Sequence, residues 1–320
     1  MTKETARRTR GGEPPRPRDI YAETTAKIVA ELEAGRFPWV QPWDASACHA
    51  PGLPVNALTQ RRYSGINVLF LWGAVIAGGY ASQGWLTFKQ ALQAGGNVRK
   101  GEKGTTVVFA DRFIPEAEKA RAAETGDDAR TVPFLRAYTV FAVEQCEGLR
   151  PGLMREPVPL PEREIIPHAE ALIAATGADI RIGGDKAFYS PAGDYICVPP
   201  QPAFRDQINY YRTVFHEISH LVGARHRLNR DTLHRYHESL AVRMQEELVA
   251  ELSAAFVCAA LGIVPTVRHA DYLGSWIDAL NADHRAIFRA ASQASKAADY
   301  ILAFDPREAA ADAVDGRIAA

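Results

Sequence analysis

The residues of this sequence best equipped for chemistry lie in one stretch, Tyr211-Arg-Thr-Val-Phe-His-Glu-Ile-Ser-His-Leu-Val-Gly223. Within it, His216 and His220 stand four residues apart. On a helix they share a face, close enough for both imidazoles to reach one ion. Glu217 can then stand beside the open coordination position and accept a proton from a bound water, the arrangement of a hydrolase that attacks a carbonyl. Zn2+ is the expected ion, or another divalent transition metal such as Mn2+. Val214, Phe215, Ile218, Leu221 and Val222 bury this helix and set the histidines in a protected cleft. A plain surface helix carrying His and Glu leaves that apolar context unexplained.

A hydrolytic zinc site needs a third protein ligand. Glu246-Glu-Leu-Val-Ala-Glu251 falls on the next strongly helical segment, where Glu247 and Glu251 share a face. The simplest assignment makes Glu247 the ligand and Glu251 the acceptor that orients a ligating histidine. The reverse assignment stays open, as does a solvated stripe of glutamates. His226 also competes, because His216 to His226 fits the spacing HExxHxxGxxH as it stands. Sites of that type carry a methionine turn downstream, whereas Met244 sits inside a predicted helix. Glu247 is therefore preferred to His226, and His234 and His237 are expected at the surface. Tyr210, Tyr211 and Tyr272 are candidate donors to an oxyanion.

These groups need elements to position them, and the pattern predicts an α+β protein of two domains. Residues 1–18 are rich in Arg, Pro and Gly and are expected to form a disordered basic tail. The first domain, 19–150, opens with a helix over Tyr21–Ala34, capped by Asp19 and ended by Gly35. Helices follow at Ile66–Gly78 and Thr87–Ala94. A strand at Thr105–Phe113 can pair with one at Phe134–Val143 across residues 115–132, a mobile insertion with no apolar pattern. Pro151, Pro157, Pro159 and Pro161 mark a linker over 151–161.

The second domain, 162–305, is mainly helical. It starts with a helix at Pro167–Ala175. A β-hairpin follows, formed from Ala187–Tyr189 and Tyr195–Val198, whose edge could receive an extended peptide. The histidine-bearing helix comes next, then helices over Ser239–Leu261, near Ala270–Leu280 and at Asp283–Leu302, with a tail at 306–320. Cys48, Cys146, Cys197 and Cys258 form no CxxC pair, which argues against a disulfide framework or a zinc ribbon. The N-terminus has charge but no apolar run after it, and the longest apolar run, Val68–Ala77, is too short for a membrane span. A cytoplasmic protein is expected.

Charge divides the chain unevenly. Residues 1–113 hold 15 Lys/Arg against 9 Asp/Glu, a net of +6; residues 114–320 hold 22 against 29, a net of −7. Arg61, Arg62, Lys89, Arg99, Lys100, Lys103 and Arg112 are interleaved with Tyr63, Trp72, Tyr80, Trp85 and Phe88, and Trp39 and Trp43 lie just upstream. Cations that track phosphates, with flat rings that stack on unpaired bases, are how proteins hold single strands without reading sequence. A set of core tryptophans is the alternative. The candidate DNA contacts are Trp39, Trp43, Arg61, Arg62, Tyr63, Asn67, Trp85, Arg99, Lys100 and Lys103.

Taken in order, these segments resemble the ArdC-type antirestriction proteins of plasmids and phages. The resemblance rests on Pro38-Trp39 and Pro42-Trp43, Asn56, Tyr63-Ser-Gly-Ile-Asn67, Gly84-Trp85-Leu-Thr87, Val98-Arg-Lys-Gly-Glu-Lys-Gly104 and Val143-Glu-Gln-Cys-Glu-Gly-Leu149. In the second half it rests on Tyr210 through His220, Arg227-Leu, Glu246 through Glu251, Ala291-Ser and Lys296-Ala. It implies a small mixed α/β single-stranded-DNA-binding domain joined to a zincin-like metallopeptidase domain. The function so implied is to accompany or protect incoming mobile-element DNA against host restriction. The protein or peptide substrate is left open. The alternative is a non-catalytic single-stranded-DNA-coating protein whose metal site is structural or vestigial.

Overall fold

The computed structural model describes residues 19–35, 39, 52–125, 128, 130–153, 162–204, 207–263 and 273–307. The basic tail, the C-terminal tail after 307, Trp43, Tyr272 and most of the proline-rich linker lie outside them. The first helix, α1 (Ile20–Glu33), begins where Asp19 caps it, its Oδ1 accepting from the Tyr21 and Ala22 amides at 3.0 and 3.1 Å. Then come β1 (Val55–Asn56), α2 (Ile66–Gly78), β2 (Gly84–Leu86), α3 (Phe88–Gln93), β3 (Asn97–Val98), β4 (Thr105–Phe113), α4 (Glu116–Thr125), β5 (Val132–Ala142) and β6 (Cys146–Glu147). Thr87 and Gln90 form a reciprocal capping box at the start of α3.

The principal sheet has the order β1-β2-β5-β4, and β3 pairs separately with β6. The predicted pairing of β4 with β5 is present, in register from Thr105 opposite Val140 to Phe113 opposite Val132. Within the connection between these strands, read as an insertion over 115–132, residues Glu116–Thr125 form α4. The segment lacks an apolar stripe, yet it is rich in Glu, Ala, Lys and Arg, which favour helix wherever they pack. Ion pairs Glu116–Lys119 and Glu118–Arg121, three residues apart, support it along its surface.

The second half contains α5 (Glu162–Ala175), β7 (Asp179–Ile182), β8 (Phe188–Ser190), β9 (Tyr195–Val198), α6 (Gln207–Leu221), α7 (Asp231–His234), α8 (Leu240–Ala260), α9 (Leu273–Ala282) and α10 (Ala286–Leu302). The predicted hairpin is β8–β9, with Tyr189 opposite Ile196. A third strand, β7, adds to β9 in parallel and leaves β8 at the sheet edge. Its four residues are too few for alternation alone to reveal. Helix α5 begins before Pro167, which lies inside it. Among the described residues no helix is long and apolar enough to cross a membrane.

One apolar core joins the two halves. Helix α8 is buried along most of its length, with α6 and α10 packed against it. The same cluster takes in Ile28 and Leu32 of α1, Trp39, and Ile66, Leu69 and Trp72 of α2. Trp72 meets Phe256 of α8 edge to face at 5.7 Å, and Trp39 meets Trp276 of α9 at 5.7 Å. The Gly65 amide at the start of α2 donates to Ser295 Oγ of α10 at 2.7 Å. A second face of α2 covers the sheet through Leu71 and Val75 against Val107 and Val140.

Asn67 lies in this core, which removes it from the set of DNA contacts. Its Nδ2 donates to the Val108 carbonyl at 2.7 Å and its Oδ1 accepts from the Val108 amide at 2.7 Å, so its carboxamide pairs with the outer edge of β4. Asn67→Ala should therefore lower stability by about 2–4 kcal/mol, since it leaves two buried backbone groups unsatisfied. Urea unfolding measures this, and a loss under about 0.5 kcal/mol, the range of an ordinary surface substitution, would refute the role.

Candidate metal centre

Helix α6 is amphipathic with an almost wholly buried inner face: Tyr211, Val214, Phe215 and Ile218 sit in the core, and His216, Glu217 and His220 are buried beside them. Facing them is α8, N-capped by Ser239 Oγ, with Glu246, Glu247 and Glu251 all buried. The predicted ligands converge: one donor atom each from His216, His220 and Glu247 lie within 4.8 Å of one another. His216 Nε2 is 3.4 Å from Glu247 Oε2, and His220 Nε2 is 3.9 Å from Glu247 Oε1. Two imidazole nitrogens and a carboxylate are the protein donor set of a hydrolytic divalent-metal site.

The opposite edge of each imidazole meets another glutamate. His220 Nδ1 lies 3.0 Å from Glu246 Oε1, and His216 Nδ1 lies 3.5 Å from Glu251 Oε2. Both rings are thus turned so that Nε2 faces Glu247. Glu251 has the orienting position expected of it. Glu246 does the same for His220, a part that its place in the sequence did not disclose.

Each of these glutamates is held in turn by a buried arginine. Arg230 grips Glu246 through Nε at 2.8 Å and Nη2 at 2.6 Å, and Thr232 Oγ1 donates to the same carboxylate at 2.6 Å. Arg230 Nη2 also donates to the Ser219 carbonyl at 2.6 Å. Arg212, one turn before His216, pairs with Glu251. Gly223 makes room for this clamp: a Cβ there would stand 2.8 Å from Arg230 Nη2 and 3.0 Å from the His220 carbonyl. The glycine that gave the sequence its HExxHxxG spacing therefore serves the arginine.

The buried charges of this cluster do not balance by themselves. Glu217, Glu246, Glu247 and Glu251 bring four carboxylates, and Arg212 and Arg230 bring two guanidiniums. With neutral imidazoles this leaves two negative charges (four minus two), the balance one divalent cation supplies. Without an ion, a proton on His216 offsets one of these two charges. Burial opposes a charged His216, but Glu247 and Glu251 outweigh it and push its pKa up to about 10. Burial likewise opposes ionisation of Glu246 and Glu247, yet Arg230 with His220, and His216 with His220, hold the two carboxyls down at about 2.

The other candidates lie elsewhere. His226 is exposed, with Nε2 3.2 Å from Asp194 Oδ2. Arg227 grips Asp194 at 2.8 and 2.9 Å and Tyr189 donates to it at 2.9 Å, which ties the β8–β9 turn to the loop after α6. His234 and His237 are exposed, as expected. Tyr211 is sealed in the core, donating to Glu170 at 2.8 Å and accepting from Gln201 at 2.9 Å, and Tyr210 packs on Phe204. The phenol at the cluster is instead Tyr236, which donates to Glu247, accepts from Arg243 Nε at 3.2 Å and lies edge-on to His220. Burial and Glu247 raise its pKa well above the usual phenol value. Nothing in its local sequence marked it.

In the basic half, Trp39 and Trp85 are fully buried and cannot stack on bases. A tryptophan's large apolar area makes it a core residue first, and composition does not reveal which role it takes. Arg61, Arg62, Lys100 and Lys103 are exposed, and Tyr63 is half-buried. Arg99 is exposed but paired with Glu102 at 2.7 Å.

Comparison with known proteins agrees with this layout. Residues 18–141 match the family model of the N-terminal domain of anti-restriction factor ArdC, and residues 167–293 match a zincin-like metallopeptidase. The metal-free crystal structure of the antirestriction ArdC protein from plasmid R388 is 37% identical, with a TM-score of 0.74 over 90% of this chain and 98% of that one. The Mn(II)-bound structure of that protein gives 0.72 at 36% identity and the same coverage. The protein y4eC of Sinorhizobium fredii is 42% identical over 91% of this chain and 94% of its own length. Two Escherichia coli proteins named DNA primase TraC are each 37% identical, and the chain spans only 27% and 21% of their lengths.

Two outcomes check the charge balance. A divalent ion must displace the His216 proton, so uptake at pH 7 should release about one proton and affinity should strengthen as pH rises towards about 10. Calorimetry in buffers of different ionisation enthalpy reads this, and uptake without proton release would refute it. In the metal-free protein, His216 stabilises the fold fully below its unfolded value of 6.5 and loses that contribution as pH rises through about 10. Glu246 and Glu247 stabilise it above 4.5 and lose theirs as pH falls through about 2. Their joint contribution to metal-free melting should therefore peak between 4.5 and 6.5. A triple variant of these residues that shifts Tm equally at every pH would contradict it.

Proposed function

This chain belongs to the ArdC family of antirestriction proteins, and from that premise we propose that it is a single-stranded-DNA-binding metallopeptidase that protects incoming mobile-element DNA. The observation that carries the enzymatic part is the convergence of His216, His220 and Glu247 beside the buried Glu217. His216, His220 and Glu247 would hold a divalent ion, Zn2+ or Mn2+, which when bound supplies Lewis acidity towards a water and a carbonyl. Manganese enters because the R388 protein is solved with Mn(II).

Glu217 takes the proton of the attacking water and returns it to the departing amine. Glu251 and Glu246, braced by Arg212 and Arg230, hold the two imidazoles in one tautomer and orientation. Tyr236 fixes the Glu247 carboxylate. The free edge of β8, at the rim of the sheet that packs on α6, can receive an extended peptide by strand addition. In the basic half, the exposed Arg61, Arg62, Lys100 and Lys103 contact phosphate.

Glu217→Ala separates this reading from a non-catalytic DNA-coating protein. It should leave metal and single-stranded-DNA binding intact while abolishing peptide cleavage and protection of incoming DNA from restriction in cells. Protection at the wild-type level would favour the coating protein. Lys100→Ala with Lys103→Ala should reduce the salt slope of oligonucleotide binding by about 2, roughly one per lost phosphate contact. An unaltered slope removes both from the footprint.

A further inference from the structure

With Trp39 and Trp85 buried, other rings of this half come into question for meeting bases. In the register of β4 with β5, Val107 stands opposite Tyr138 and Phe109 opposite Arg136. Residues opposite each other in an antiparallel pair share a face, and so do residues two apart along a strand. Val107 and Val140 lie beneath α2. Further out, where α2 no longer covers it, the same face carries Phe109, Tyr138 and Arg136. Phe109 is 46% exposed and Tyr138 is 41% exposed, although strand positions facing water usually take polar side chains.

The two rings meet edge to face with centroids 5.5 Å apart, which fixes them and leaves other surfaces of both to solvent. Arg136 Nη1 lies 3.4 Å from Tyr138 Oη, so a guanidinium stands at the border of the aromatic patch. At its other end, β4 is entered from the turn bearing the exposed Lys100 and Lys103. From Lys103 to Phe109 an extended chain runs roughly 20 Å at about 3.3 Å per residue. A polyanion with flat, unpaired bases suits this arrangement of cations at both ends and rings at one.

We infer that Phe109 and Tyr138 form a base-stacking site on the β4–β5 ribbon, with Arg136 beside it for phosphate, and that its occupant is single-stranded nucleic acid. The inference rests on the reading that this half holds single strands, and it names the surface that does so. Stacking on aromatic side chains tolerates any base, since every base has a flat face, so this site would hold DNA without reading its sequence.

The test compares an oligothymidylate of about 15 nucleotides with an abasic sugar-phosphate chain of the same length and charge. Wild-type protein should bind the oligothymidylate more tightly. Phe109→Ala with Tyr138→Ala should weaken that binding by about tenfold or more, leaving the abasic chain and the salt slope unchanged. Tyr138→Phe, which keeps a ring, should bind as wild type does. If wild-type protein binds the oligothymidylate and the double alanine variant binds it equally well, the stacking site is refuted and the single-strand reading survives. If wild-type protein binds neither probe, that reading falls and the stacking site with it. Should the double variant fail to fold, photocrosslinking of 5-iododeoxyuridine oligonucleotides to wild-type protein decides. Adducts on Phe109 or Tyr138 support the site, and adducts confined to other residues overturn it. A double variant that alters only self-association of the protein, with DNA binding unchanged, would likewise assign the patch to a second copy and refute the proposal.

Discussion

Four carboxylates packed among two imidazoles and two guanidiniums, all of them buried, are the constraint around which α6 and α8 are built. Ionised groups in such surroundings are costly unless each meets an opposite charge or a hydrogen-bond donor. Arg230 on Glu246 and Arg212 on Glu251 meet that need on the outer side of each histidine, while Glu247 remains between them. The imbalance that remains has the size of one divalent cation. The same arrangement explains why so much of α8 is buried: three glutamates held at fixed angles need a helix that neither frays nor rotates, and the apolar residues around it on α6 and α10 supply that rigidity.

The sheet of the first half and the helices of the second are not independent bodies. Trp72 and Trp39 reach across to Phe256 and Trp276, and α1 lies along α9, with the Thr25 hydroxyl donating to the His284 carbonyl at 2.7 Å. Phe256 belongs to the helix that carries Glu247 and Glu251. The basic half therefore leans on the element that positions the carboxylates.

What the sequence disclosed follows from how locally each feature is encoded. His216, Glu217 and His220 lie within two turns of one helix, so their spacing fixes their geometry before any tertiary contact forms. Glu247 and Glu251 were legible for the same reason. Arg230 and Tyr236 come from the segment around the short α7 and act only through folded contacts, so no periodicity exposes them. Arg212 stands one helical turn before His216, a charge on a buried face that the helical spacing does expose. Tryptophans in a basic context misled because ring type does not specify burial. Helix α4 carries no apolar periodicity, the usual sign of a helix, because it stands on surface ion pairs.

The carboxamide of Asn67 has one more effect. Strand β4 ends its sheet, and its outward amides and carbonyls are the kind of row on which another chain can add a strand. Asn67 occupies the rung at Val108 from within the molecule. A foreign strand approaching that margin would meet the position already taken and would have to break a buried pair of hydrogen bonds to extend the ladder. The same side chain that anchors α2 to the sheet thus closes this rung of the β4 edge to strand addition.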